Sequence, residues 1–166
     1  TVKILYFSDS TYPLAALAGA IHTGSLPIGK KPGGSFWSLP FLNFKENGEG
    51  QDNGAGKILS LGKDSQGNDV YALSVKGERG MIYRLVESFL GMYEIKESEL
   101  SLIDSGVRDN LYLLAGSFFC RSNYLAPLGR YLTSIGVKKH YGRLSQLVSE
   151  ITTGLGKSSL TTQEKL

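Results

Sequence analysis

Apolar and polar positions divide this chain into short blocks with different periods. Residues 2–7 (VKILYF) form a nearly continuous run of β-branched and aromatic side chains, broken only by Lys3. That pattern predicts a strand buried on both faces. Four polar residues follow, Ser8, Asp9, Ser10 and Thr11, all of types that cap helices. Pro13 suits a first helical turn, where its missing N–H would have had no partner. Leu14, Leu17, Ala18 and Ile21 then recur at helical spacing, and the small residues between them let a helix lie close to its neighbours. Gly24 and Pro27 stop that helix.

Residues 27–56 lose this regularity. Seven glycines and three prolines argue against a long regular element there, so the segment reads as a loop insertion. Inside it lies an apolar island with Phe36, Trp37, Phe41 and Phe44, expected to fold back as core packing or to serve as a partner-binding patch. Residues 57–62 and 69–75 read as two strands joined by a polar turn, a β-hairpin. Ile82, Leu85, Val86, Phe89 and Leu90 place a helix over 80–93. Residues 100–103 are a short strand ending in Asp104-Ser105-Gly106, and 111–119 are a helix capped by Asp109 or Asn110. Residues 129–136 fit either a last strand or a helix end and are read as a strand. Residues 138–151 form the closing helix, with Tyr141, Leu144, Leu147, Val148 and Ile151 as its apolar face.

Strands alternating with helices define an α/β fold, here a three-layer sandwich whose mixed, mainly parallel sheet contains one β-hairpin. Residues 1–153 are expected to form a single domain, and 154–166 a flexible tail. Ligands in such sheets sit outside the carboxyl ends of the strands. The polar groups expected there are Ser8, Asp9, Ser10, Thr11, Asp104, Ser105, Thr133 and Ser134.

Composition narrows the function classes. A net charge of +3 is too small for the dense basic stripe of a phosphate-neutralising nucleic-acid binder, and Lys138, Lys139, His140 and Arg143 read as a solvated helix start. One cysteine, Cys120, excludes an intramolecular disulfide and a cysteine-based zinc site, which suits a reducing cytoplasm. No apolar run approaches the ~18 residues of a membrane span, and no charged-then-apolar leader opens the sequence. With two histidines at unhelpful spacing, no metal site is expected, and His22 reads as a helix-terminal structural residue.

The order of Ile4-Leu5-Tyr6, a polar loop, small residues over 15–20 and then Ala20-Ile21-His22-Thr23-Gly24-Ser25-Leu26-Pro27 carries a resemblance. It is continued by Leu39-Pro40-Phe41, Gly62-Lys63-Asp64, Gly67-Asn68-Asp69-Val70-Tyr71, Leu102-Ile103-Asp104 and Gly129-Arg130. This layout resembles an uncharacterised family, a domain of unknown function, of mainly spore-forming Firmicutes. Its members open with a strand, a Gly-Gly-Thr-His-Ser-Ser-like turn and a helix ending in an Ala-Ile-His-x-Gly-x-Leu-Pro motif. The resemblance spans most of residues 2–150 and implies the fold but no reaction. Residues 7–13 here lack the glycine pair and the loop histidine, which implies that any chemistry seated in that loop is altered in this copy.

Two functions follow as expectations. The first is a non-catalytic binding or regulatory module. It takes a small anion at Ser8, Asp9, Ser10, Thr11, Asp104 and Ser105, or a protein (a second copy included) through Phe36, Trp37 and Phe41. Its cofactor is left open. The alternative is a Mg²⁺-dependent phosphoryl-transfer or nucleotide-processing enzyme using Asp9 and Asp104.

Overall fold

A computed structural model describes residues 2–10, 12–30, 39, 58–75, 79–92, 96, 99–120, 122 and 124–154. In chain order the elements are β1 (Lys3–Ser8), α1 (Leu14–His22), β2 (Ile58–Lys63), β3 (Asp69–Ser74), α2 (Arg79–Met92), β4 (Leu100–Asp104), α3 (Leu111–Cys120) and α4 (Ala126–Thr152). The strands lie in the order β2-β3-β1-β4. β1 runs parallel to both β3 and β4, and β2 is antiparallel to β3.

The central position of β1 explains its unbroken apolar run. Successive side chains point to opposite faces of a sheet, and here both faces are covered. Ile4 and Tyr6 pack with α1 and α4, while Leu5 and Phe7 pack with Ile82 of α2 and Leu102 of β4. Three layers result, as the sequence predicts. The edge strand β2 is half-exposed instead. A register shift between Ser60 and Gly62 interrupts its ladder, with Gly62 at φ +106°. Such a bulge twists an edge away from pairing with other chains.

All nine residues of α1 are buried, because helices and strands enclose it. Its small residues are what allow this; a Cβ on Gly19 would collide with the Leu61 side chain. α4 is three times as long, about 40 Å at 1.5 Å per residue. Its second half packs Tyr141, Leu144 and Val148 into the same core, and the Tyr141 hydroxyl donates to the Pro27 carbonyl.

Residues 129–136 are helical, which corrects the strand expected there. The stretch is read wrongly because its buried positions are small rather than apolar. Gly129, Thr133 and Gly136 recur at helical spacing on the side that meets α3. A Cβ on Gly129 would sit 2.8 Å from the Gly116 carbonyl, and one on Gly136 would sit 2.7 Å from Leu113. The two helix backbones therefore touch, and Thr133 and Ser134 belong to this helix pair instead of a strand end. Thr133 donates to the Gly129 carbonyl at 2.9 Å. The α3 cap is Asn110, whose Oδ1 accepts the Leu113 N–H at 2.9 Å.

Candidate functional site

The carboxyl edge of the sheet carries a row of serines. Ser8 ends β1 level with Ser74 of β3, and Ser105 stands one step beyond the Phe7–Asp104 pair, its N–H bonded to the Phe7 carbonyl at 2.9 Å. Strand alternation puts all three on the face of Ile4 and Tyr6, the face that α1 covers. They are 0%, 5% and 2% exposed.

Two of the loop hydroxyls shape the start of α1. Pro13 occupies the N-cap position and offers no side-chain acceptor, so Ser8 Oγ reaches from the strand end to accept the Ala15 N–H at 3.3 Å. Ser10 Oγ donates to the Tyr12 carbonyl, and the Leu14 N–H donates to that same carbonyl at 2.7 Å. Asp9 is half-buried just past the strand. Ser105 differs: its Oγ is buried with no hydrogen-bond partner among the described residues. Thr11 lies outside the described residues, as do Phe36, Trp37 and Phe41.

The turn after β4 brings further groups to this edge. Asp104 Oδ1 accepts the Gly106 N–H at 2.8 Å, and Gly106 turns with φ +65°. A Cβ there would lie 3.3 Å from the Arg143 guanidinium, so α4 lays its arginine over a turn whose positive φ favours glycine. His140 lies three residues before Arg143, with Nε2 buried and without a partner among the described residues. Burial, then the Arg143 charge, lowers the His140 pKa, while Asp109 opposes the shift. Asp109 Oδ1 accepts the Tyr12 N–H at 3.4 Å and so ties this turn to the loop after β1. His140 and Arg143 were legible only as surface charges; the Asp-Ser-Gly turn was read as a strand end with candidate site residues, but nothing in the sequence connected it with Arg143.

Asp104 shares its alternation with Leu102 and Phe7, towards α2, whereas the serine row faces α1. Among the described residues, no group of three or more His, Cys, Asp or Glu side chains is placed to hold a metal ion. Cys120 is half-buried, and burial pushes its thiol pKa up. A hollow of about 300 Å³ on α2, lined by Met81, Arg84, Leu85 and Ser88, lies on the other side of the sheet and has none of these groups.

The amino edge holds a second polar cluster. Tyr6 Oη lies 2.6 Å from His22 Nδ1, and His22 Nε2 lies 3.3 Å from Asp64 Oδ2. The His22 and Asp64 side chains are 3% and 4% exposed. Burial lowers the His22 pKa, outweighing the opposing pull of Asp64. A lowered pKa favours the neutral imidazole, which in this geometry accepts the Tyr6 O–H at Nδ1 and donates from Nε2 to Asp64. Burial by itself would raise the Asp64 pKa, but the N–H groups of Asn68 and Gln66, the Asn68 amide and His22 together hold it below the usual carboxylate range. Asn68 Oδ1 in turn accepts the Val2 N–H at 3.1 Å.

The motif residues of the sequence resemblance converge in this cluster. Gly24 takes φ +78°, the Leu26 N–H returns to the Ala20 carbonyl at 3.0 Å, and Leu26 is buried. The Gly-Lys-Asp and Gly-Asn-Asp turn of the hairpin presents Asp64 to His22. The expectation of a structural His22 fits this geometry; its carboxylate partner, 42 positions along the chain, was not visible in the sequence.

The chain belongs to a family described as protein of unknown function (DUF3189), whose model matches residues 3–153. No curated protein and no solved structure matches it.

Proposed function

We propose that this family member is a non-catalytic binding or regulatory module whose small anionic ligand sits at the carboxyl edge of the sheet, around Ser8, Ser10 and Ser105. The supporting observation is the buried serine row. Three adjacent strands end in serines on one face; hydroxyls removed from water are costly unless bonded, and that of Ser105 has no partner among the described residues. That edge is where open α/β sheets bind ligands. A binder is favoured over a nucleophilic enzyme because His22 is held at the far edge and the Cys120 thiol is made less acidic by burial.

A thermal-shift panel of phosphate, mononucleotides and dinucleotides, each with and without Mg²⁺, tests this reading. A ligand at 100 times its dissociation constant stabilises by about 2.7 kcal/mol, a shift of several degrees for a domain of this size. A shift independent of Mg²⁺ and reduced in Ser10→Ala supports the module. A shift that requires Mg²⁺ and disappears in Asp9→Asn replaces it with phosphoryl-transfer chemistry through Asp9 and Asp104. A flat panel removes the anion reading.

A further inference from the structure

We propose that Arg143 and His140 of α4 form the charged wall of this anion site, and that the site selects a tetrahedral oxyanion of the phosphate-monoester type. The inference rests on the anion reading above and adds the ligand class and two binding residues from a helix that the sequence does not connect with the site.

Three observations carry it. The first is the approach of Arg143 to the turn after β4. Its guanidinium would lie 3.3 Å from a Cβ on Gly106, the residue that follows Ser105. Arg143 is exposed and takes part in no ion pair with a described residue, so its five donors remain available to a ligand. The second is the Ser105 hydroxyl, 2% exposed and without a hydrogen bond among the described residues, on the sheet face that α1 and α4 cover. The third is His140 Nε2, also buried and without a partner among the described residues, within one helical turn of Arg143. A guanidinium, a hydroxyl and an imidazole supply donors from the turn and from α4. A phosphate group presents three terminal oxygens to such a set, whereas a planar carboxylate presents two. Bidentate arginine bonds to phosphate are also among the stronger charge-assisted contacts.

Two of the carboxylates at this edge are engaged by backbone N–H groups. Asp104 accepts from Gly106 and Asp109 from Tyr12. Among the remaining charges near His140, Arg143 and Lys139 add positive potential, and Lys139 lies over the Tyr112 ring with 4.2 Å to its centroid.

The test is a titration of inorganic phosphate, phenyl phosphate, sulfate and acetate into the full chain, followed by two-dimensional amide NMR. The expected result is saturable movement of the Gly106 amide and the Arg143 side-chain N–H with the tetrahedral ions and much weaker movement with acetate. Arg143→Gln is expected to weaken phosphate binding about tenfold or more, Arg143→Lys less, and Ser105→Ala by several-fold. Because Arg143 is exposed, its two variants should keep the wild-type melting temperature, which is measured alongside. Sulfate, which does not titrate in this range, should bind more tightly as the pH falls, and His140→Gln should remove that dependence. Saturable phosphate binding unchanged by Arg143→Gln, or acetate binding as well as phosphate, overturns this inference while leaving the anion reading standing. If no ion binds saturably, both fall.

Discussion

The two edges of this sheet use similar residue types to opposite effect. At the amino edge, Tyr6, His22, Asp64, Asn68 and the Val2 N–H form one chain of bonds in which each side chain has a partner. At the carboxyl edge, Ser8 and Ser10 are engaged in shaping α1, but Ser105 Oγ and His140 Nε2 are buried without hydrogen bonds and Arg143 has no ion-pair partner among the described residues. A satisfied buried network rigidifies a fold, while unsatisfied buried groups carry a cost that a ligand or water can relieve. The motif that most marks the family resemblance belongs to the satisfied edge. Its histidine is thus explained by architecture, and the candidate for function lies at the opposite end of the same strands.

Breaking the amino-edge network should have the largest effect. Asp64→Ala removes the acceptor for the Gln66 and Asn68 N–H groups, the Asn68 amide and His22 together. Losing one partner from a buried polar network costs about 3 kcal/mol, to be read as a lowered midpoint in urea unfolding. Phosphate binding per folded molecule should not change. If Asp64→Ala leaves stability within ~0.5 kcal/mol of wild type, a range typical of neutral surface substitutions, the amino edge is not the anchor described here.

Acid should weaken the same edge by a smaller amount, because a protonated His22 still faces Asp64. The folded-state pKa of His22 lies below its ordinary 6.5, so the unfolded chain takes up this proton first as pH falls. Stability is then lost as the pH drops through about 6.5 towards the folded-state pKa. Asp64, also lowered, adds a second loss as the pH falls through its ordinary value of 3.8. His140 shifts in the same direction as His22, so the unfolding measurement is repeated in His140→Gln. If the loss near pH 6.5 disappears in that variant, the pH sensitivity belongs to the carboxyl edge.

The fold was legible where burial leaves a period. The apolar run of β1, the stripe of α1, the hairpin and the apolar face over 141–151 could all be read from residue order. The first half of α4 could not, because helices in backbone contact bury glycine and threonine, and Gly129, Thr133 and Gly136 give no hydrophobic signal. The candidate site was legible in part. Ser8, Ser10 and Ser105 follow from the rule about strand ends, but a residue's hydrogen-bond partner is a tertiary fact. Nothing in the sequence distinguishes a serine engaged as a cap from one left without a bond. Arg143 and His140 were missed for a related reason: a long helix brings residues from late in the chain to a turn some 35 positions earlier, and local charge patterning cannot report that approach.

The smallest and sharpest effect separates two serines of the same row. Ser8→Ala removes the acceptor for the Ala15 N–H near the start of α1 and should cost about 1 kcal/mol, the usual value of a lost cap. Ser105→Ala removes a hydroxyl that is buried without a bond, so it should leave the ligand-free protein unchanged or stabilise it by up to about 1 kcal/mol. The sign of the difference matters more than its size. Most substitutions at positions 98% buried destabilise; one that stabilises the free protein and weakens phosphate binding would mark a group retained for its ligand. Equal destabilisation by the two variants would mean that Ser105 is bonded in solution, for example to an ordered water, and the contrast between the two edges would disappear.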